Sequence, residues 1–313
     1  MNDCTMPQVP QRPTATCGTD ADAACAAASR ALRDGAAIRP YARSAATLPA
    51  CDYFVCLPSG DYDRSRLFVS VHGITRNALE HALLFRPWVE RLRVPMIAPL
   101  FPSGTYARYQ TLGGGRGCPP ADEAFAEMVE DACRHLGLHS PALRLFGHSG
   151  GGQFAHRYAL RHPHAVDRLV IGAAGWYTFP DADVAYPRGF GAHAGIAALD
   201  VETALAAFPP TLVVVGAADR GRDDALNRAA DIDRQQGRHR LERAQRWVDA
   251  MAATAVRLGR SPPCALSILP GASHAFGPGV REFGLDRVVA AFLFPESQSL
   301  LPEYDPAVSG ASP

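Results

Sequence analysis

The stretch LRLFGHSGGGQF, residues Leu143–Phe154, decides the fold. An apolar run rises to Gly147, a histidine and Ser149 follow, and three glycines then lead into a predicted helix. Gly147, Ser149 and Gly151 fit the pattern G-x-S-x-G. A strand that turns sharply into a helix forces the residue at the apex into an unfavourable backbone conformation, and side chains two positions away would clash. The stretch therefore predicts either a reactive serine on a tight turn or a glycine-rich connector without chemistry.

Apolar strands and amphipathic helices alternate on both sides of this turn. The predicted strands cover residues 53–58, 66–73, 94–101, 142–147, 167–175, 211–219 and 264–271. The predicted helices cover residues 77–93, 125–136, 151–162, 247–258 and 280–294. The first of these helices is expected to be interrupted or to restart at Pro87. Short, continuously apolar strands that alternate with helices predict an α/β fold, a mostly parallel doubly wound sheet with helices on both faces.

The chain divides into an arm, one large domain and a tail. Residues 1–45 are expected to form a partly irregular N-terminal arm, in which residues 21–35 have strong helix propensity. Residues 46–298 form the predicted catalytic domain. Within it, residues 176–210 contain prolines and glycines and predict a small cap-like insertion after the strand at 167–175. Residues 299–313 are expected to be a loose polar tail.

The composition excludes some classes of partner. Lys+Arg and Asp+Glu both number 31, so the formal net charge is zero and nothing indicates binding to nucleic acid or anionic lipid. No apolar run reaches the length of about 18 residues that a membrane span needs. The N-terminal segment lacks the basic start and apolar core of a secretory signal. These features predict a cytoplasmic protein, with secretion left open.

Cysteine spacing does not indicate a metal site. The eight cysteines are Cys4, Cys17, Cys25, Cys51, Cys56, Cys118, Cys133 and Cys264. They include no two CxxC pairs at the spacing typical of zinc. Cys133 and Cys264 are predicted to be small core residues. A disulfide between Cys51 and Cys56 or within the N-terminal arm is left open, and free thiols in a reducing cytosol are favoured.

A serine hydroxyl is a poor nucleophile, so Ser149 needs a general base within about 2.6–3.2 Å. His274 follows the last predicted strand and should lie at the carboxyl edge of the sheet, where ligands bind in open α/β sheets. The histidine in turn needs an acid that fixes its tautomer and stabilises its charged form. Asp219 ends the apolar run TLVVVGAAD directly and is therefore preferred to Asp223 and Asp224. The alternative is that Asp219 only caps a turn.

The chain order Ser149, Asp219, His274, together with the turn and the alternating elements, resembles the α/β-hydrolase family. In that family one oxyanion donor is the amide of the residue after the nucleophile, which implies Gly150 here. The other donor comes from the loop after an earlier strand, and the dipeptide His72-Gly73 is similar to the family's HG pair. The resemblance implies the amide of Ile74 as the second donor, with Thr75 left open.

A narrower resemblance concerns the substrate. The stretches FVSVHGITRNA, GHSGGGQFAHRYALRHP and QGRHRLERAQRW resemble bacterial esterases related to polyhydroxybutyrate depolymerases. This implies a small-molecule or oligomeric ester as substrate and leaves open whether it is a polymer. The resemblance implies neither a metal nor an organic cofactor.

Aromatic residues near the carboxyl ends of strands are candidates for substrate binding. Tyr109 lies in the loop after strand 94–101, and Trp176 and Tyr177 follow strand 167–175. Such side chains can form an acyl or alcohol pocket, or they can simply pack within the insertion. The arginines and aspartates of residues 220–240 are expected to form a solvated, internally paired surface.

These features predict a serine hydrolase that cleaves carboxylic esters through an acyl-enzyme intermediate. A peptidase or a thioesterase could use the same three residues. A protein that kept the fold but only binds its partner is an alternative of another class. The oligomeric state does not follow from the sequence.

Overall fold

The computed structural model describes residues 41–45, 48–114 and 118–300. Within these residues, eight strands form one sheet. The strands are β1 (Tyr41–Ala45), β2 (Leu48–Cys56), β3 (Arg66–Val71), β4 (Met96–Pro99), β5 (Ala142–His148), β6 (Arg168–Gly172), β7 (Thr211–Gly216) and β8 (Cys264–Leu269). Their order across the sheet is β1-β2-β4-β3-β5-β6-β7-β8.

The sheet is parallel except at one end. Strand β2 runs antiparallel to both β1 and β4, and the other neighbouring strands are parallel. Parallel neighbours need a crossover connection, which is usually a helix. The carboxyl ends of β3, β5, β6, β7 and β8 consequently lie at one edge of the sheet. The mostly parallel sheet that the sequence predicts is confirmed.

Helices supply most of these crossovers. In the described part of the chain the helices are α1 (Ala78–Leu92), α2 (Ala121–Leu136), α3 (Gly150–Arg161), α4 (Val201–Ala207), α5 (Ala230–Gln236), α6 (Arg240–Arg257), α7 (Phe276–Arg281) and α8 (Leu285–Leu293). Between β6 and α4 the chain forms only turns, bends and isolated bridges. None of the described helices is long and apolar enough to cross a membrane.

The sheet separates two apolar clusters. Successive strand residues face opposite sides, so Leu145 packs in one cluster and Phe146 in the other. The first, here called the α3-side cluster, includes side chains of α2, α3 and α6. The second, the α1-side cluster, includes side chains of α1, α7 and α8. Helices therefore cover both faces, as the continuously apolar strands predict.

One strand lies inside the segment that is predicted to belong to the N-terminal arm. Residues Tyr41–Ala45 pair with β2, although the sequence YARSA has no apolar run that would predict a strand. A buried carboxylate anchors this edge, because Asp131 accepts a hydrogen bond from Arg43 at 2.7 Å and another from Tyr53 at 2.5 Å. The predicted helix at 21–35 lies outside the described residues.

Two helices differ from their predictions in whether they are interrupted. Helix α1 is continuous through Pro87, which lies on its exposed side. Proline lacks an amide hydrogen, and the carbonyl left without its partner belongs to Leu83, whose side chain is 42% exposed. Water can satisfy that carbonyl, so the helix need not break. The predicted helix 280–294 is instead the pair α7 and α8, because Gly284 adopts a φ of 69° between them.

The described cysteines are free thiols. Cys51 packs in the α3-side cluster and Cys56 in the α1-side cluster, so the two side chains lie on opposite faces of β2. Cys264 is buried, and Cys133 is partly buried against the α3-side cluster. Cys4, Cys17 and Cys25 lie outside the described residues. Among the residues that are described, no group of three or more His, Cys, Asp or Glu side chains could hold a metal ion.

Candidate active site

Ser149 sits at the apex of a sharp turn between β5 and α3. Its backbone has φ 55° and ψ −114°, a conformation that residues other than glycine rarely adopt. A Cβ atom on Gly147 would overlap the carbonyl of Gly151, and one on Gly151 would overlap the carbonyl of Val71. The turn is therefore possible only because both flanking positions are glycine. This geometry agrees with the elbow that the G-x-S-x-G pattern predicts.

A further glycine lets α3 lie close to β6. A Cβ atom on Gly152 would stand 3.0 Å from the carbonyl oxygen of Gly172. The same carbonyl accepts a hydrogen bond from the amide of Ser149 at 2.8 Å. The backbone of β6 thus fixes the position of the serine from the side opposite to β3.

The structure brings Ser149, His274 and Asp219 into one hydrogen-bonded row. The Nε2 atom of His274 lies 3.0 Å from the Oγ atom of Ser149. Its Nδ1 atom lies 2.9 Å from Oδ2 of Asp219, whose side chain is 1% exposed. A carboxylate can only accept, so Nδ1 carries the proton and Nε2 is left to accept from the serine hydroxyl. Such an arrangement can remove the proton from Ser149.

The two rival carboxylates do not contact His274. Asp223 pairs with Arg240 through two hydrogen bonds, at 2.7 and 2.9 Å. Asp224 is 98% exposed and pairs with Arg228. Asp219 is thus the acid in contact with the histidine, and its role in catalysis stays a prediction.

Two backbone amides lie together beside the serine. Gly150 is the first residue of α3, so its amide has no acceptor within the helix. The amide nitrogen of Ile74 lies 3.2 Å from the place that a Cβ atom of Gly150 would take, and no atom of Thr75 lies as close. In the described part of the chain, no backbone carbonyl accepts a hydrogen bond from the amide of Ile74. Both amides are therefore available to an oxygen atom bound next to Ser149.

Comparison with known proteins agrees with this architecture. A family model described as the alpha/beta hydrolase fold matches residues 87–220, which include the elbow and Asp219. LpqC, a poly(3-hydroxybutyrate) depolymerase from Bordetella parapertussis, has a similar structure, with a TM-score of 0.69 and 24% sequence identity. That match covers 90% of this chain and 94% of LpqC. The chain has the α/β-hydrolase fold.

A second solved structure with this α/β-hydrolase fold is also similar. Poly(aspartic acid) hydrolase-1 from Sphingomonas sp. KT-1 gives a TM-score of 0.63 at 22% identity, covering 80% of this chain and 93% of that protein. Among curated proteins, no sequence matches significantly. The predicted resemblance to α/β-hydrolases of the depolymerase-like kind is confirmed.

His72 holds the loop that carries Ile74. Its Nε2 atom accepts a hydrogen bond from the amide of Phe101 at 3.0 Å, so its proton sits on Nδ1 and is donated to the carbonyl of Gly73 at 2.7 Å. Burial lowers the pKa of His72 to about 3, which keeps the ring neutral. The C=O and N–H of one peptide point in opposite directions, so His72 turns the Ile74 amide away from itself. The HG dipeptide indicates this loop, but its pattern does not reveal what the histidine does.

The three candidate substrate-binding aromatics lie in different surroundings. Tyr177 is fully buried and stacks on Trp247, with 5.0 Å between ring centroids. It has no exposed surface for a substrate, so the packing alternative describes it. Tyr109 is also fully buried, and its hydroxyl donates to the carbonyl of His72 at 2.7 Å. Trp176 is partly exposed, with the Arg157 guanidinium 4.3 Å from its ring centroid, and substrate contact stays a prediction for it.

The arginines of 220–240 are not all solvated, contrary to the sequence-based expectation. Arg240 is buried, and its Nη1 atom lies 3.4 Å from Oδ1 of Asp219. Nothing local in the sequence distinguishes it from its exposed neighbours, because the contact depends on how α6 folds back against the loop after β7. The sequence pattern therefore does not mark Arg240 as part of the site.

Proposed function

We propose that this protein is a serine hydrolase that cleaves carboxylic esters through an acyl-enzyme intermediate. The observation that supports this most strongly is the row of hydrogen bonds from Ser149 through His274 to Asp219, at 3.0 and 2.9 Å. The two free amides beside the serine add a place for a developing negative charge. We propose Gly150 and Ile74 as these oxyanion donors.

The proposed reaction has two halves. Ser149 attacks the ester carbonyl while His274 accepts the serine proton and then gives it to the leaving alcohol. A water molecule next attacks the acyl-enzyme, again losing a proton to His274, which returns it to Ser149 as the acid leaves. Asp219 stabilises the imidazolium that forms in each half. Each oxyanion donor contributes about 10²–10³ in rate in comparable sites.

The choice of ester over amide or thioester is the finer part of the proposal. Two proteins of similar structure are named for poly(3-hydroxybutyrate) and poly(aspartic acid), which contain ester and amide linkages respectively. Both linkages are cleaved by acyl transfer, the chemistry that the Ser149 site can perform. The ester is preferred here because of the resemblance of the HG and GHSGG stretches to bacterial esterases.

Covalent labelling tests the nucleophile. A fluorophosphonate probe should label the wild type at Ser149, and the Ser149→Ala variant should stay unlabelled and lose about 10⁵–10⁶ in kcat. Ser273→Ala is the matched control, because Ser273 is an exposed serine next to His274. It should label like the wild type. A folded wild type that does not react would overturn the enzyme proposal and favour a binding protein.

A substrate panel tests the bond that is cleaved. Turnover of p-nitrophenyl esters, oligomers of 3-hydroxybutyrate, an acyl-CoA thioester and an aminoacyl anilide would be measured as kcat/KM. We expect an ester to give the highest value. If the thioester or the anilide exceeds every ester, the ester assignment is wrong, while the serine hydrolase assignment still rests on the labelling.

A further inference from the structure

A buried arginine lies behind the acid that contacts His274. Arg240 is the first residue of α6, and its side chain is 1% exposed. Its Nη1 atom lies 3.4 Å from Oδ1 of Asp219, while the other oxygen of that carboxylate lies 2.9 Å from Nδ1 of His274. The two oxygens of Asp219 thus face a guanidinium on one side and an imidazole on the other.

Asp223 holds the guanidinium from the opposite side. Its two oxygens accept hydrogen bonds from Nη1 and Nη2 of Arg240 at 2.7 and 2.9 Å, the paired geometry that is strongest between these groups. The Asp223 side chain is 46% exposed, whereas those of Arg240 and Asp219 are 1% exposed. A line of charged and polar groups therefore runs from the surface to the serine. In order, it is Asp223, Arg240, Asp219, His274 and Ser149.

This line of groups can influence the proton that moves from Ser149 to His274. A purely structural ion pair would fasten the loop after β7 onto α6 and do nothing more. Here the cation touches the carboxylate that must stabilise the charged form of His274. Resting on the serine hydrolase activity proposed above, we propose that Arg240 and Asp223 are positioning residues that set the strength of His274 as a base through Asp219.

Two histidines packed near His274 are neutral. The ring centroid of His148 of β5 lies 5.2 Å from that of His274, and the rings of His148 and of His81 in α1 both lie against Phe276. Burial lowers the pKa of His148 and of His81 well below the ordinary histidine value. The pKa of Asp223 is lowered, first by its hydrogen bond from Arg240 and further by the positive charges of Arg240 and His274.

Removing Arg240 and removing Asp223 should shift the pH at which His274 loses its proton in opposite directions. The positive charge of Arg240 offsets part of the Asp219 charge, so removing it leaves Asp219 freer to stabilise the imidazolium. His274 would then hold its proton to higher pH. Asp223 neutralises part of Arg240, so removing the Asp223 charge disfavours the imidazolium. His274 would then lose its proton at lower pH. Loss of a merely structural contact would not move the two variants in opposite directions.

The pH dependence of kcat/KM for a p-nitrophenyl ester tests this, because its acid limb reports the essential base of the free enzyme. We expect Asp223→Asn to move the midpoint of the acid limb down by about half a pH unit and Arg240→Gln to move it up by about one unit. Arg240→Lys keeps the charge without the paired geometry, so it should lower kcat and leave the midpoint near that of the wild type.

Asp224→Asn is the matched control. It removes the same charge one position further along the chain, but Asp224 pairs with Arg228 and not with Arg240. It should leave the profile unchanged.

Three results would overturn the inference. They are shifts of the same sign in Asp223→Asn and Arg240→Gln, no shift in Asp223→Asn, or an equal shift in Asp224→Asn. If Arg240→Gln does not fold, the comparison of Asp223→Asn with Asp224→Asn still decides, because both aspartates are substantially exposed. A wild type that is neither labelled nor active would contradict the proposed function instead. That outcome differs from an active wild type whose variants leave the pH dependence of kcat/KM unchanged.

Discussion

Three carboxylates within six positions compete in the sequence for the same histidine. Asp219 follows the buried strand β7 and reaches His274, whereas Asp223 and Asp224 lie further along the exposed loop and pair with arginines. The preference for Asp219 could be argued from sequence, because an acid that directly ends an apolar strand is carried to the edge of the sheet. The part played by Arg240 could not, since only the long-range return of α6 brings it there.

Replacing the acids one at a time separates their roles. Asp219→Asn should lower kcat by about 10⁴, because an amide cannot fix the productive tautomer of His274 or stabilise its charge. Asp223→Asn should stay within about tenfold of the wild type when kcat is measured at a pH above the acid limb. Circular dichroism would verify that both variants are folded. An equal loss in the two variants would mean that the acid has been assigned wrongly.

The predicted strands and helices agree best with the observed ones where an element is buried on both faces. Strands β5, β6 and β7 are covered on both faces, so their apolar runs mark them clearly. Local rules failed where tertiary packing overrides them. Helix α1 continues through Pro87 because the lost hydrogen bond falls on its exposed side, and the chain divides at Gly284 because a glycine permits the turn.

The elbow is the element with the least tolerance for change. A Cβ atom on Gly151 would stand 2.6 Å from the carbonyl oxygen of His72 and would also overlap that of Val71. Gly151→Ala should therefore lower the free energy of unfolding by at least about 2 kcal/mol. Urea unfolding would measure it.

A second glycine provides the control for that experiment. Gly104 has no heavy atom within 4 Å of an added Cβ, so Gly104→Ala should change stability by no more than about 0.5 kcal/mol. If both variants unfold like the wild type, α3 can retreat from β3 and the elbow has room for a methyl group.

At the scale of the whole molecule, four histidines among the described residues are buried in uncharged form. They are His72, His81, His148 and His156. His156 repeats the bonding of His72, because its Nε2 atom accepts from the amide of Thr178 and its Nδ1 atom donates to the carbonyl of Gly152. Burial lowers the pKa of every one of the four, to about 3 for His72 and well below the ordinary value for the others. Their distribution over strands, helices and the loop after β3 could not be predicted from sequence, where eleven histidines look alike.

Acid should therefore destabilise the fold well above the range where carboxylates titrate. The unfolded chain takes up protons on these histidines as the pH falls through about 6.5, whereas the folded protein does not, so the unfolded state is favoured. For His72 this continues to about pH 3, where the folded ring is protonated too. Between pH 7 and pH 5 the free energy of unfolding should fall by about 2 kcal/mol for each histidine.

Urea unfolding at the two pH values measures that loss. His156→Gln should show a smaller pH dependence, by about one histidine's share, although it is less stable at pH 7. His164→Gln replaces an exposed histidine and should behave like the wild type. A wild type whose stability is the same at both pH values would show that the buried rings are charged or reached by water.

The two apolar clusters lie on opposite sides of the sheet, and this affects how the stability effects of several substitutions combine. Side chains of the α3-side cluster and of the α1-side cluster share few direct neighbours, because the backbone of the sheet lies between them. Effects of substitutions at distant sites without shared partners usually add. Stabilising changes selected separately on the two faces should therefore be recombinable in one chain, each keeping its own increment, whereas pairs chosen within one face would have to be selected together.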